Sequence, residues 1–215
     1  MDPSHLPALT DRARRLAEDG RRRVLGIAGA PGAGKSTLAA EIVAGLDGRA
    51  VLVPMDGFHL AGAELERLGR ADRKGAPDTF DAAGYVALLE RLRDPGATDP
   101  VYAPAFDRAL EEPVAGSVRV EADVPLVVTE GNYLLLDDGP WARVRGLLDE
   151  AWFLDPEPET RVRRLVDRHV RFGKSRAHAE SWVARSDEPN ARLVELHRHR
   201  ADLVVRPGQP VTGAP

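Results

Sequence analysis

The sequence predicts a doubly wound α/β sandwich on a five-stranded parallel sheet. Five short apolar runs lack the alternation of a half-exposed strand. Helical stretches separate them, and a polar or glycine-rich turn follows each. Residues 6–18 space their apolar positions as an amphipathic helix. Residues 23–28 (RVLGIA) form the first strand, and LAAEIVAGL after the glycine-rich turn forms a helix. Residues 50–55 are the second strand, closed by Asp56-Gly57. Asp81 opens a helix to residue 93 that Asp94-Pro95-Gly96 stops. Residues 94–124 are rich in Pro, Gly and Asp, with short strand-like pieces such as SVRVEA. Residues 125–129 are the third strand, before Glu130-Gly131-Asn132-Tyr133, and residues 151–154 the fourth, before Asp155. An arginine-rich helix spans 157–171, and Phe172-Gly173-Lys174-Ser175 breaks it. Helices over 176–185 and 188–200, a fifth strand at 202–205 and a frayed tail from 207 complete the chain. In such sheets the ligand crevice lies beyond the carboxyl ends of the strands. That places the Gly29 turn, Asp56, Glu130, Asp155 and Arg206 on one rim.

Composition bounds the reading. The chain has 215 residues, 43% hydrophobic and 30% charged, which suits one domain over residues 1–215 with a buried core. A formal net charge of −4 argues against a nucleic-acid partner. No apolar run approaches the roughly 18 residues of a membrane span, and the N-terminal stretch lacks a signal-peptide core. The absence of cysteine excludes disulfides and thiol catalysis. A cytoplasmic protein without a membrane partner is expected, and a homodimer is compatible with the sequence. Of the 30 basic residues only Lys35, Lys74 and Lys174 are lysine. In so arginine-rich a chain, a lysine flags a place where a compact ammonium is needed.

Residues 29–37 read Gly29-Ala30-Pro31-Gly32-Ala33-Gly34-Lys35-Ser36-Thr37, matching G-x-x-x-x-G-K-[ST] between a strand and a helix. Given this composition, chance yields the pattern roughly one to two times in a thousand. Glycines let backbone N–H groups turn toward phosphates, and the following helix presents its positive end. Lys35 can then bridge the β- and γ-phosphates of ATP, and the Ser36 hydroxyl can ligate Mg²⁺. No N-K-x-D or L-S-G-G-Q is present, and PLVVT leads into Glu130 rather than an Asp. This favours phosphoryl transfer to a small acceptor over a switch, transporter or motor. Asp56 sits where a bare carboxylate can orient and deprotonate an attacking hydroxyl, or merely close an Asp-Gly turn. Glu130 is a candidate for holding Mg²⁺ or a metal-bound water, or a turn acid. Arg161, Arg164, Arg168 and Arg171 share part of one helix face, as a phosphate-facing stripe or a solvated one.

GAPGAGKST, MDGFH, KGAPDTFD, PAFDR, EGNYLLL, FLDPEPETRVRRLVDRH and the final DLVV occur in this order over residues 23–206. The set resembles the P-loop kinases grouped around phosphoribulokinase, uridine kinase and pantothenate kinase. It is most similar to the nucleoside/nucleotide kinase-like, or fructose transport system kinase-like, branch. The resemblance implies a P-loop kinase fold with a mobile helical lid over residues 168–190. It also implies ATP- and Mg²⁺-dependent phosphorylation of a small-molecule alcohol. Asp56 matches the catalytic aspartate of these kinases, Lys35 and Ser36 their nucleotide and metal groups, and Arg164 and Arg168 their lid arginines. The acceptor side departs from uridine kinases. Gly75 stands in place of their ribose-binding aspartate, Arg-Ala-Leu-Glu replaces the stretch with their base-recognising histidine, and His59 replaces a tyrosine. His169 stands where an aspartate is common. A sugar or sugar-like acceptor is therefore favoured over a nucleoside or pantothenate, with a non-catalytic nucleotide-binding regulator as the reading from another class. Candidate acceptor contacts are His59, Lys74, Asp78, Asp107, Arg108 and Tyr133. Trp141, Trp152 and Trp182 read as packing, and residues 186–190 as a helix cap before a lid contact.

Overall fold

The computed structural model describes residues 6–18, 20–96 and 98–208. Five parallel strands form one sheet: β1 (Arg23–Ala28), β2 (Ala50–Pro54), β5 (Leu126–Gly131), β6 (Glu150–Leu154) and β7 (Leu203–Val205). Their spatial order is β2-β5-β1-β6-β7. β1 is central, pairing with β5 on one side and β6 on the other. The connections run to one side of β1 and then to the other, so the turn after β1 opens into the crevice of a doubly wound sheet.

The strands are apolar on both faces because both are covered. In β1, Leu25 and Ile27 face one cluster with Trp152, Leu38 and Ile42, to which α1 (Leu6–Leu16) adds Leu9 and α2 (Lys35–Ala44) its inner side. Val24 and Ala28 face the opposite cluster with Phe153, Tyr85, Leu89 and Trp141, built on α4 (Ala82–Arg93) and the 3₁₀ turns Gly139–Leu147. Each fully buried Leu, Ile or Val side chain contributes about 1.5–3 kcal/mol. Asp81 caps α4 as expected, accepting from the Gly84 N–H at 2.8 Å.

Three expectations change. Residues 94–124 hold an antiparallel hairpin, β3 (Val101–Asp107) and β4 (Glu112–Val120), not isolated strand-like pieces. Pro104 hides it from sequence reading. The pairing shifts register between Ala103 and Ala105, a bulge that accommodates the missing donor. Second, β5 extends through Glu130 and Gly131, so Glu130 is a strand residue buried in the sheet rather than a turn acid. Third, α6 (Arg176–Trp182) does not stop for a cap before α7 (Glu188–Leu196). A π-helical turn, Val183–Asp187, joins them without a break, and Asp187 is helical with no capping bond. α7 itself ends at Leu196, and Arg198–Arg200 forms a 3₁₀ turn. From residue 209 the expected frayed tail lies outside the described residues.

The hairpin rests directly on the segment that carries Asp56. A Cβ on Gly57 would overlap the Pro104 carbonyl oxygen, a backbone atom that cannot rotate away. Gly57→Ala is therefore expected to lower stability by about 1–3 kcal/mol through overpacking. Urea unfolding checks this, and an unchanged midpoint contradicts the contact.

Candidate active site

The loop between β1 and α2 is shaped as an anion cradle. Gly32 and Gly34 adopt φ of +78° and +98°, conformations glycine takes without a Cβ penalty. Gly34 precedes Lys35 at the N-terminus of α2, and no side chain caps that end, so its first N–H groups stay open to an anion. α5 (Pro158–Arg171) braces the loop from outside. Arg161 Nη1 donates to the Pro31 carbonyl and Arg164 Nη1 to the Ala33 carbonyl, each at 3.3 Å.

Lys35 is buried at the head of this loop, 7% exposed. Its Nζ donates to Asn132 Oδ1 at 2.7 Å and to the Ala30 carbonyl at 3.2 Å. Burial pushes its pKa down; the negative charges of Glu130 and then Asp56 oppose that. Beside it, Ser36 Oγ donates to Glu130 Oε1 at 2.8 Å. Burial raises the Glu130 carboxyl above its ordinary value, and the charge of Asp56 pushes the same way. Ser36 and Lys35 act in the opposite sense.

These groups line a cleft of about 380 Å³ together with Asp56, His59, Arg108 and Arg168. Asp56 follows β2 and is not bare: Arg108 Nη2 reaches its Oδ2 at 2.9 Å. Among the described residues no donor reaches Oδ1, and the side chain keeps 28% of its exposure. His59 Nδ1 lies 2.8 Å from the Asp56 carbonyl, which only accepts, so Nδ1 carries the proton. Burial lowers the His59 pKa, favouring the neutral ring with Nε2 as an acceptor. That ring packs at a tilt against Phe80 and Phe106, at centroid distances of 3.9 and 4.9 Å.

Over the cleft lie the end of α5, α6 and the π turn. Arg168 stands in the mouth, where the surrounding protein and then the like charge of Arg108 lower its pKa. His169 Nε2 pairs with Asp187 Oδ2 at 2.9 Å, tying α5 to the π turn. Lys174 lies 5.1 Å from the Trp182 ring centroid, and both line the cleft. Trp141 and Trp152 are core residues, whereas Trp182 is a cleft wall.

Not every candidate converges. Asp78 lies outside the cleft lining, its carboxylate held by Arg73 at 2.6 Å. Asp107 folds back to accept from the Ala109 and Leu110 N–H groups at 2.7 and 3.1 Å, shaping the hairpin turn. Tyr133 is fully buried, and its hydroxyl donates to the Gly75 carbonyl. Arg164 faces the outside of the loop and Arg161 turns inward to Glu188, so of the stripe only Arg168 lines the cleft. Thr37 is exposed on α2, away from the cleft lining. Asp155 pairs with Arg198 and Arg206, each at 3.1 Å, and stays on the rim. Asn132, Phe106 and Glu111 line the cleft without having been named as candidates from sequence, and so do Asp187 and Asn190, which fall in the segment that reads as a helix cap before a lid contact. Asn132 had a usable signal, following β5 closely as Asp56 follows β2. Phe106 and Glu111 depended on the unread hairpin.

Residues 24–212 match the phosphoribulokinase / uridine kinase family. The chain belongs to that family. Among its relatives is the uncharacterized protein YggC of Escherichia coli K12, 37% identical over 190 residues, covering 86% of this chain and 78% of that protein. Another, named "putative uridine kinase C227.14", from Schizosaccharomyces pombe, is 33% identical over 217 residues, covering 95% and 92%. The crystal structure of a "putative fructose transport system kinase" from Silicibacter sp. TM1040 superposes with a TM-score of 0.84 at 35% identity, covering 93% of this chain and 98% of that one.

Members of this P-loop kinase family use ATP and Mg²⁺. The residues fit both. Among the described residues no cluster of three or more His, Asp or Glu forms a protein cage for a metal. Mg²⁺ suits a site with one or two protein oxygens plus nucleotide phosphates, and the Ser36–Glu130 pair offers such oxygens. No helix among the described residues is long and apolar enough to cross a membrane.

The raised Glu130 carboxyl sets a pH dependence. Between the unfolded and folded pKa values the folded protein holds a proton that the unfolded chain has released. Glu130 therefore costs stability progressively as pH rises through that window. Glu130→Gln is expected to gain stability relative to wild type as pH rises from about 4 to about 8. Chemical unfolding across that range checks it; a constant or shrinking difference contradicts it.

Proposed function

We propose that the chain is an ATP-dependent kinase that phosphorylates the hydroxyl of a small sugar or sugar-like molecule. The reading is carried by Asp56: a partly exposed carboxylate at the floor of the cleft that holds the phosphate loop, with Oδ1 unpartnered among the described residues. In the reaction the acceptor oxygen bonds to the γ-phosphorus of ATP as the bond from that phosphorus to the β–γ bridging oxygen breaks. Asp56 takes the hydroxyl proton, and ADP leaves with the electron pair of the broken bond. Lys35 and Arg168 stabilise the charge on the transferring group. Ser36 and Glu130 are the residues that would hold Mg²⁺, which would neutralise phosphate charge. Residues 168–190 act as the lid that brings Arg168 over the phosphates and excludes water.

Support for an alcohol acceptor comes from the acceptor side of the cleft. His59 offers a neutral acceptor nitrogen, and Phe80 and Phe106 supply apolar walls against which a carbon skeleton packs. Gly75 also lines this side, and it is too small to contact a nucleoside ribose with a side chain.

Asp56→Asn keeps the shape and removes the base. It is expected to lower acceptor-dependent kcat by about 10²–10⁴-fold with ATP affinity retained. Coupled measurement of ADP release across sugars, polyols, nucleosides and pantothenate checks this. Nucleotide binding with no stimulation by any acceptor, and indifference to Asp56→Asn, identifies a regulator instead. Arg168→Gln is expected to reduce kcat by about 10²–10³-fold with a smaller change in acceptor KM. A loss confined to KM contradicts its role on the transferring group.

A further inference from the structure

All three lysines of this arginine-dominated chain line one cleft. Lys35 belongs to the phosphate loop; Lys74 and Lys174 do not. Lys74 Nζ donates to the Glu111 carbonyl at 2.7 Å and lies 5.0 Å from the Phe106 ring centroid. Arg108 Cζ lies 4.9 Å from the same centroid. Two cations thus flank one aromatic ring beside Asp56, carried by the hairpin and the segment before it rather than by the phosphate loop. Among the described residues no carboxylate comes within 4.0 Å of Lys74 or Lys174, whereas Arg108, which shares the Phe106 ring with Lys74, is paired with Asp56.

The cleft's acids do not neutralise this side. Glu130 is bonded to Ser36 and Asp187 to His169. Asp56 holds Arg108 through one oxygen only. Glu111 lines the cleft as well, yet it meets Lys74 through its main-chain carbonyl, at a residue whose φ is +55°. A carbonyl satisfies one of the three ammonium donors and none of its charge. Two ammonium groups with no ion-pair partner, in a chain whose acids outnumber its bases 34 to 30, call for a charge brought by the ligand.

From this we infer that the phosphate acceptor is itself an anion: a polyhydroxy compound carrying a carboxylate or phosphate besides the hydroxyl that is phosphorylated. Lys74 binds that anionic group against Phe106, and Lys174 approaches it from the lid side. Arg108 is shared. An anion entering beside Lys74 competes with Asp56 for its guanidinium, so a charged acceptor frees the carboxylate that takes its proton. A neutral polyol leaves the Arg108–Asp56 pair in place. This inference rests on the kinase reading above and narrows its acceptor class.

The test uses the full chain with Mg-ATP and matched acceptors of three to six carbons: alditols, the corresponding aldonates and the alditol monophosphates. At least one anionic compound is expected to exceed its neutral partner in kcat/KM by about tenfold or more, with a preference that falls as salt screens the charges. The aldonate and monophosphate arms distinguish carboxylate from phosphate. Lys74→Gln is expected to raise KM for that anionic acceptor by about tenfold, with a smaller change in kcat and ADP binding retained in calorimetry. Neutral acceptors turned over as well as or better than their charged partners overturn the inference and leave the kinase reading standing. So does a Lys74→Gln protein that binds ADP and keeps the full anionic preference. Absence of ADP release with every acceptor, charged or neutral, overturns the kinase reading and this inference with it.

Discussion

The arrangement depends on one buried ammonium. Lys35 sits at the head of α2 with its Nζ on a side-chain amide and a main-chain carbonyl, and among the described residues no carboxylate pairs with it directly. Removing such a charge from water costs several kcal/mol. The partial compensation comes through space from Glu130 and Asp56, two acids delivered by neighbouring strands. Both acids are therefore part of what keeps Lys35 charged. A polyphosphate entering the loop supplies the missing counter-charge, which explains why an acidic protein keeps a cation buried there.

The parallel sheet makes this convergence cheap. β1, β2 and β5 end on the same edge, so the loop, Asp56 and Glu130 meet without any long excursion of the chain. Two further elements are added around that edge. The β3–β4 hairpin brings Phe106, Arg108 and Glu111, and the helical cap brings Arg168, Lys174 and Trp182. The phosphate loop with its two acids and the hairpin wall of the cleft thus come from different parts of the fold.

The sheet and the phosphate loop were legible because their signals are local: unbroken apolar strands, glycines followed by a Lys-Ser pair, an aspartate cap on α4. Asp56, Glu130 and Arg168 were legible as residues at strand ends or on a helix stripe. What escaped was set by tertiary context. Pro104 disguised a strand by sitting at a bulge. Asp78 and Asp107 were candidate substrate contacts because carboxylates suit sugar hydroxyls, but each has a nearer partner, Arg73 for one and the hairpin backbone for the other. Tyr133 follows the right strand, yet its ring belongs to the core. Asp187 looked like a helix cap until the π turn carried it inward to His169. The lysine bias was visible in the composition, and its meaning came only when the fold placed all three in one cleft.

Transfer of the terminal phosphoryl of ATP onto a hydroxyl is the central claim, and ³¹P NMR of the protein with Mg-ATP and an acceptor mixture tests it most directly. The account predicts that the γ-phosphorus signal declines as a new phosphomonoester resonance grows in equal amount with ADP. Loss of the γ signal into inorganic phosphate alone, or an unchanged spectrum with nucleotide bound, would contradict it.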